Sequence, residues 1–286
     1  MRLPLRVPLD GVLYRDVVLM EGPSGWGEWS PLSGYPSDPA RCREAAEEAA
    51  SGAWPAARRP AVEVNALVTA VAPPEAASLA EAAVALGFRT VKVKVGDERG
   101  TERVAAIREA VGPAVRIRVD ANGAWDVDAA VAAIAALARY DLELVEQPVA
   151  SLEDLAIVRR RVGVPVAADE CVRDVDDARR LASLGAADAL VLKVQPLGGV
   201  AAALAVAAAA AIPVIVSSMY ETSVGLAAGL ALAAALDELP YACGLGTADL
   251  FAADVVARPL VPVAGVLALR RPVPDPALLA RYSVGG

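Results

Sequence analysis

No histidine occurs among the 286 residues of this chain. That absence removes Ser-His-Asp and Cys-His nucleophilic catalysis, histidine-ligated zinc and any histidine general base. Acid–base chemistry must fall to lysine, aspartate, glutamate, tyrosine or cysteine. Cysteine is scarce too. Cys42, Cys171 and Cys243 are odd in number, far apart and without metal-ligand spacing, which fits a reduced cytoplasm rather than a disulfide framework. Aromatic residues make up only 4% of the chain against 56% hydrophobic residues, so the core is Ala, Val and Leu, a composition suited to helices packed on a buried parallel sheet. Positive charge is not in excess. A net charge of −8 offers no footprint for nucleic acid or an anionic membrane, so an anionic small-molecule substrate needs a local cluster of cations.

The start, Met1-Arg2-Leu3-Pro4, meets Asp10 and Arg15 before any long apolar run, unlike a signal peptide. Gly198–Val216 carries no charge and is long enough to span a bilayer. It is mostly alanine and Pro213 divides it, so the expectation is a buried helix followed by a strand.

From about residue 61 onward, short β-branched runs alternate with Ala/Leu/Arg/Glu stretches of helical length. The strand candidates are Val62–Val68, Thr90–Val95, Val115–Asp120, Leu142–Glu146, Val166–Asp169, Ala189–Lys193, Val214–Ser217 and a weaker Tyr241–Gly244. Gly87, Gly112, Gly163 and Gly185 stand where helix C-caps belong. Eight strands separated by helices predict a (β/α)8-type barrel over residues 59–256. An open doubly wound sheet is the alternative, but no glycine-rich dinucleotide fingerprint follows the first strand. Residues 1–58 differ: alternating segments (Leu5–Pro8, Val12–Met20), then Trp26-Gly27-Glu28 and a helix from about Asp38 to Ala53. They predict a small α+β domain, joined by the proline-rich tail of about 257–286.

Ionisable residues end five successive strands: Lys94, Asp120, Glu146, Asp169 and Lys193, at intervals of 26, 26, 23 and 24 residues. Each interval is close to one strand–helix unit, and barrel active sites lie where strand C-termini surround one cavity. Alternation puts Lys92 with Lys94, Arg118 with Asp120, and Lys193 with Val191 on the inward side. Three carboxylates confined together need a counter-charge. An all-oxygen donor set suits Mg2+ or Mn2+. The lysines are the obvious bases, and Lys92 beside Lys94, with the metal nearby, is expected to lower the pKa of the latter.

Thr90-Val-Lys92-Val-Lys94-Val-Gly96, Asp120-Ala-Asn122-Gly123 with Trp125, Glu146-Gln147-Pro148, Asp169-Glu170 and Lys193 together resemble the muconate-lactonising-type subgroup of the enolase superfamily. The resemblance runs over nearly the whole chain, with Leu5–Pro31 like that superfamily's capping domain and Ser217–Glu221 like its seventh-strand segment. It implies a modified TIM barrel with an N-terminal α+β cap. It also implies Asp120, Glu146 and Asp169 as ligands of Mg2+ (or Mn2+), with Lys94 and Lys193 as opposed acid/base groups. Branches that use a histidine base are excluded. The short cap, the inward Arg118 and the lack of an Asp-x-Asp in Cys243-Gly244-Leu245-Gly246-Thr247 favour one reaction of the subgroup. That reaction is syn dehydration of 2-succinyl-6-hydroxy-2,4-cyclohexadiene-1-carboxylate, a step of menaquinone biosynthesis. Racemisation of N-acylamino acids and epimerisation of dipeptides are the alternatives.

Arg118, Asn122, Ser217, Ser218 and Gly244 are the candidate substrate contacts, and Tyr35 in Ser33-Gly34-Tyr35-Pro36 is a candidate for closing over the site. Plainer roles stand beside these: Lys92 as a structural cation, Arg118 as an interior ion-pair partner, Ser217 and Ser218 as helix caps, Glu170 as a salt-bridge residue. A Schiff-base aldolase would also place a lysine at a strand end, without needing three carboxylates beside it. A non-catalytic binding barrel would be expected to lose the five competent residues.

Overall fold

The computed structural model describes residues 1–9, 12–52 and 54–284. Two antiparallel ribbons open the chain. β1 (Arg2–Leu9) pairs with β2 (Val12–Asp16), and β3 (Val18–Gly22) pairs with β4 (Gly25–Trp29). The run expected at Val12–Met20 therefore breaks at Val17, whose amide donates to the Met1 carbonyl at 2.9 Å. The helix Pro39–Ser51 follows, capped by the Asp38 side chain at one end and by left-handed Gly52 at the other. Its expected last residue, Ala53, lies outside the described residues. Gly27 is obligatory against this helix, because a Cβ there would lie 1.8 Å from the Ala46 carbonyl oxygen.

The expected strand Val62–Val68 is two elements. β5 (Ala61–Glu63) pairs antiparallel with β13 (Val266–Ala268) from the tail, while β6 (Ala66–Val68) starts the barrel. The parallel sheet then runs β6, β7 (Thr90–Lys94), β8 (Arg116–Asp120), β9 (Leu142–Glu146), β10 (Val166–Ala168), β11 (Ala189–Lys193) and β12 (Val214–Ser217) in spatial order. Each neighbour in space is the neighbour in sequence, with a helix between, so the sheet curls. The segment expected as an eighth strand is reduced to single bridges: Cys243 to Val64 and Gly244 to Ser217. Pro240 offers no ladder donor beside it, and the glycines favour no strand. These bridges close the ring through Cys243 and Gly244.

Side chains alternate as the sequence implies. Val91, Val93, Ile117 and Val119 are fully buried against the helices, while Leu144, Ala167, Ala189, Val191 and Ile215 form a separate cluster inside the barrel. Gly87, Gly112 and Gly185 have positive φ at helix ends. Gly163 does not, because the helix Leu152–Arg161 ends on extended Val162 instead. Gly198–Val216 contains the helix Val200–Ala210 and most of β12, and no helix among the described residues is long and apolar enough to cross a membrane. The tail reaches back to the first domain. Leu279 and Tyr282 pack with Leu3, Leu5 and Val17, and the Arg271 guanidinium lies 3.8 Å from the Trp54 ring centre.

Candidate active site

The C-terminal ends of β7 to β11 bring the ionisable residues together. Register pairs Lys94 with Asp120 and Asp120 with Glu146, and Glu146 sits opposite Ala167, two residues before Asp169. Lys92 Nζ lies 2.9 Å from Asp120 Oδ2 and 2.6 Å from Glu146 Oε1. Lys94 Nζ lies 2.8 Å from the same Asp120 oxygen and also donates to Asn122 Oδ1. Across the cavity, Lys193 donates to Asp169 Oδ2 and, at 3.1 Å, to the Tyr35 hydroxyl, which in turn donates to Asp169 Oδ1 at 2.9 Å. The Tyr35 ring centre is 4.2 Å from Lys193 Nζ, so the Ser33–Pro36 loop does lie over the barrel mouth.

These positions are fixed from behind. The Arg103 side chain, 1% exposed, donates to the Lys94 carbonyl and grips Asp97. Gln147, in the left-handed region at φ 38°, accepts from the Asp169 amide at 2.7 Å and so aims that strand end. The Asp120 carboxylate is steadied by the Asn122 amide at 2.9 Å. Asn122 also donates to Glu170 at 2.8 Å, which brings Glu170 to the cavity wall although it alternates with Asp169.

Burial works to raise the Asp120 pKa, but the charges of Lys92 and Lys94 outweigh it and hold the carboxyl well below the usual range. Glu146 goes the other way: burial, reinforced by Asp120, pushes it up to about 8 despite Lys92. Lys92 by itself does not depress Lys94 below its ordinary value. Burial and Lys92 act to lower its pKa, yet the touching Asp120 carboxylate raises it above the ordinary value. Lys92 and Lys193 are raised for the same reason, by Asp120 and Asp169 respectively, against the opposing effect of burial.

The three carboxylates occupy neighbouring strand ends but do not converge on one point. Among the described residues no group of three or more such side chains is gathered as a ready-made metal cage. Each is instead turned to a lysine, as buried charges are when the nearest opposite charge is in reach. The donor set nevertheless suits a hard divalent cation. It is all oxygen, it comes from adjacent strands, and burial together with Asp120 disfavours the Glu146 carboxylate, an effect a bound cation would offset.

The remaining candidates separate. Asn122, Ser217, Ser218 and Gly244 line the same cavity as Lys92, Lys94, Asp120 and Lys193. Ser218 donates to the Gly244 carbonyl at 3.0 Å and meets Thr247 Oγ1 at 2.9 Å, while the cap of the following helix is Thr222. Gly244 is fitted to its neighbour, since a Cβ there would lie 2.5 Å from Ser217 Oγ. Arg118 is not brought to the cavity. It faces inward, but its guanidinium pairs with Glu143, donates to the Ala242 carbonyl at 2.7 Å and lies 5.4 Å from the Tyr241 ring centre. The reason is a bulge: Ile117 pairs with Leu142 but Arg118 with Leu144, so Glu143 is the extra residue and turns toward Arg118. Sequence reading missed Asn65, Gln147, Gln195 and Glu221. Each is a buried polar residue given no role of its own by the sequence, although the Glu146-Gln147-Pro148 run takes in Gln147 and the Ser217–Glu221 segment ends on Glu221.

Comparison with known proteins follows the same lines. A family model described as enolase C-terminal domain-like matches residues 75–275, and one described as enolase N-terminal domain-like matches residues 1–50. The chain is 54% identical over 275 residues to the o-succinylbenzoate synthase of Thermobifida fusca (strain YX), covering 94% of this chain and 86% of that protein. It is 50% identical over 284 residues to the o-succinylbenzoate synthase of Mycobacterium marinum (strain ATCC BAA-535 / M), covering 97% and 85%. Among solved structures, the dipeptide epimerase of Enterococcus faecalis V583, complexed with Mg and the dipeptide L-Leu-L-Tyr, superposes with a TM-score of 0.84 at 27% identity, covering 96% of each chain.

Proposed function

The chain belongs to the enolase superfamily, and we propose that within it the protein is an o-succinylbenzoate synthase, a lyase acting in menaquinone biosynthesis. It dehydrates 2-succinyl-6-hydroxy-2,4-cyclohexadiene-1-carboxylate. The observation that carries this reading is identity of half or more, along nearly the whole chain, to proteins of that activity. The geometry supports the chemistry, because two lysines on different strands face one cavity with buried carboxylates between them.

Lys94 takes the proton from the carbon bearing the ring carboxylate. The electron pair left there expels hydroxide from the adjacent carbon, and the Lys94 ammonium returns the proton to it, so the products are the aromatic dicarboxylate and water. One base serves both half-steps because the two groups leave from the same face. Lys193 remains a cation opposite, where its charge favours the negative charge that develops as the C–H bond breaks. Asp120, Glu146 and Asp169 are the residues that would hold Mg2+ (or Mn2+), which would supply positive charge against the substrate carboxylate and favour the neutral form of Lys94. Asn122, Ser217, Ser218 and Gly244 shape the wall around the substrate. Arg118, occupied by Glu143, is a barrel-interior residue in this reading.

Dipeptide epimerisation is the second reading, favoured by the likeness to the epimerase. Residues 243–247 carry no Asp-x-Asp to hold a dipeptide ammonium. A panel of the cyclohexadiene, dipeptides and N-acylamino acids decides between them. The expected result is fast dehydration, followed by absorbance and by mass loss of water. Fast dipeptide epimerisation with no dehydration would overturn the proposal.

A further inference from the structure

Away from the reacting centre, a second set of buried polar groups joins the first domain to the barrel. Glu28 on β4 is 2% exposed, Ser30 is fully buried, and Gln195, Glu221 and Thr222 from the barrel side are 4% exposed or less. Burying this many polar groups is costly unless they satisfy one another. They do. The Glu28 carboxylate accepts from the Thr222 hydroxyl, the Thr222 amide at 3.2 Å, the Gly225 amide at 3.0 Å and the Ser30 hydroxyl at 2.7 Å. Two of those donors are backbone amides at the start of the helix Ser223–Ala235, where a negative charge is favoured. Gly225 permits the approach, since a Cβ there would lie 2.6 Å from Glu221 Cβ and 3.0 Å from Glu28 Cδ.

From Glu28 the chain continues. Gln195 Nε2 donates to Ser30 Oγ at 3.0 Å and to Glu221 Oε1 at 3.4 Å, and Gln195 Oε1 accepts the Ser30 amide at 3.0 Å. Glu221 Oε2 accepts the Met219 amide at 2.7 Å. Gln195 stands two residues after Lys193, and Met219 and Tyr220 line the cavity beside Ser217 and Ser218. Tyr220 has φ 59°, a conformation that costs a non-glycine residue about 1 kcal/mol or more and persists where its surroundings hold it. Arg15, from β2, donates to the Tyr220 carbonyl at 3.2 Å and to the Ser30 carbonyl.

We propose that Glu28 is a positioning residue for the reaction: anchored on the first turn of the Ser223–Ala235 helix, it holds Ser30 and Gln195 in one hydrogen-bonded chain that fixes both the Lys193 strand end and the Ser217–Tyr220 wall. The proposal rests on the reading of Lys193 given above. It explains why the barrel alone does not complete the site, since two cavity walls take their geometry from a residue of the other domain that never touches the substrate.

The test is kcat and KM for the dehydration by Glu28→Gln, Ser30→Ala, Gln195→Met and the Glu28→Gln/Gln195→Met double variant, well below their unfolding midpoints. Misplacing a reacting group by a fraction of an ångström lowers kcat, roughly 10- to 100-fold here. The double variant should be no worse than the poorer single, because both changes break one chain. Arg271→Met, which loosens the same domain at its contact with Trp54, should lower the unfolding midpoint and leave kcat in place. Ser30→Ala, which removes one hydroxyl, keeps the test alive where Glu28→Gln fails to fold. Wild-type kcat in Ser30→Ala and Gln195→Met overturns the inference, as do losses that multiply in the double variant. Lys193→Ala serves as the reference. If it retains full activity the functional reading itself has failed, whereas impaired Lys193→Ala with normal Ser30→Ala and Gln195→Met removes only the positioning role.

Discussion

Glu28→Gln also makes a prediction about stability that can be worked from the structure. Burial pushes the Glu28 carboxyl up from 4.5 to about 7. The Thr222 and Ser30 hydroxyls pull it down, and the nearby Glu221 on the seventh-strand loop pushes it further up. A carboxyl whose pKa is raised on folding contributes stability that is fully present below pH 4.5 and is lost as the pH rises through about 7. At 1.36 kcal/mol per pH unit the loss is about 3 kcal/mol. For a chain of this length that corresponds to a fall on the order of 5 °C in Tm. Glutamine cannot ionise, so the variant lacks this slope. It also sets an amide N–H against the donors of Thr222 and Gly225, which lowers its Tm by an amount that does not vary with pH. Thermal unfolding followed by circular dichroism from pH 4.5 to pH 8 should therefore show the two Tm curves drawing together as the pH rises. Parallel curves over that range would refute the reasoning.

Three further outcomes follow from the site. Lys193→Arg keeps a cation opposite Lys94 and should retain more kcat/KM than Lys193→Ala, whereas a two-base racemisation would leave both variants equally dead, because arginine does not deprotonate at working pH. Arg118→Met removes the closer of the two arginine partners of the partly buried Glu143 and the contact with the Ala242 carbonyl, so it should cost a few kcal/mol in urea unfolding and leave KM within about twofold; a large rise in KM at unchanged stability would return Arg118 to the substrate. Asp120→Asn should fold and yet bind Mn2+ at least tenfold more weakly by calorimetry, and EDTA should abolish wild-type activity until Mg2+ or Mn2+ is restored; full activity of metal-free protein contradicts the assignment.

Much of the barrel is legible because its strands obey local rules. β7 to β12 are short β-branched or alanine-rich runs between helices, and the inward side of β7 to β11 shows as ionisable residues at or just past the strand ends. The break at residues 64–65 is not legible: Val62–Val68 has one texture, and only the distant β13 claims its first half. Alternation told which side of β8 Arg118 occupies but not which end of the barrel its guanidinium reaches, and the Glu143 bulge decided that. The sequence shows Lys92 and a metal site beside Lys94 but not the contact with Asp120 across the strand pair, which outweighs Lys92. Glu28 and Glu221 lie in segments the sequence marks, but nothing in the sequence joins them to Gln195, because polar residues far apart in the chain acquire a common role only when the two parts pack together.

The account stands most directly on Lys94. Wild-type protein and Lys94→Ala should be compared for kcat/KM in dehydrating the cyclohexadiene carboxylate, with Mg2+ present and folding checked by circular dichroism. Loss of the group that takes and returns the proton should lower the rate roughly 10²- to 10⁴-fold with the fold intact. Wild-type turnover by Lys94→Ala would contradict lysine catalysis in this barrel, whatever the metal does.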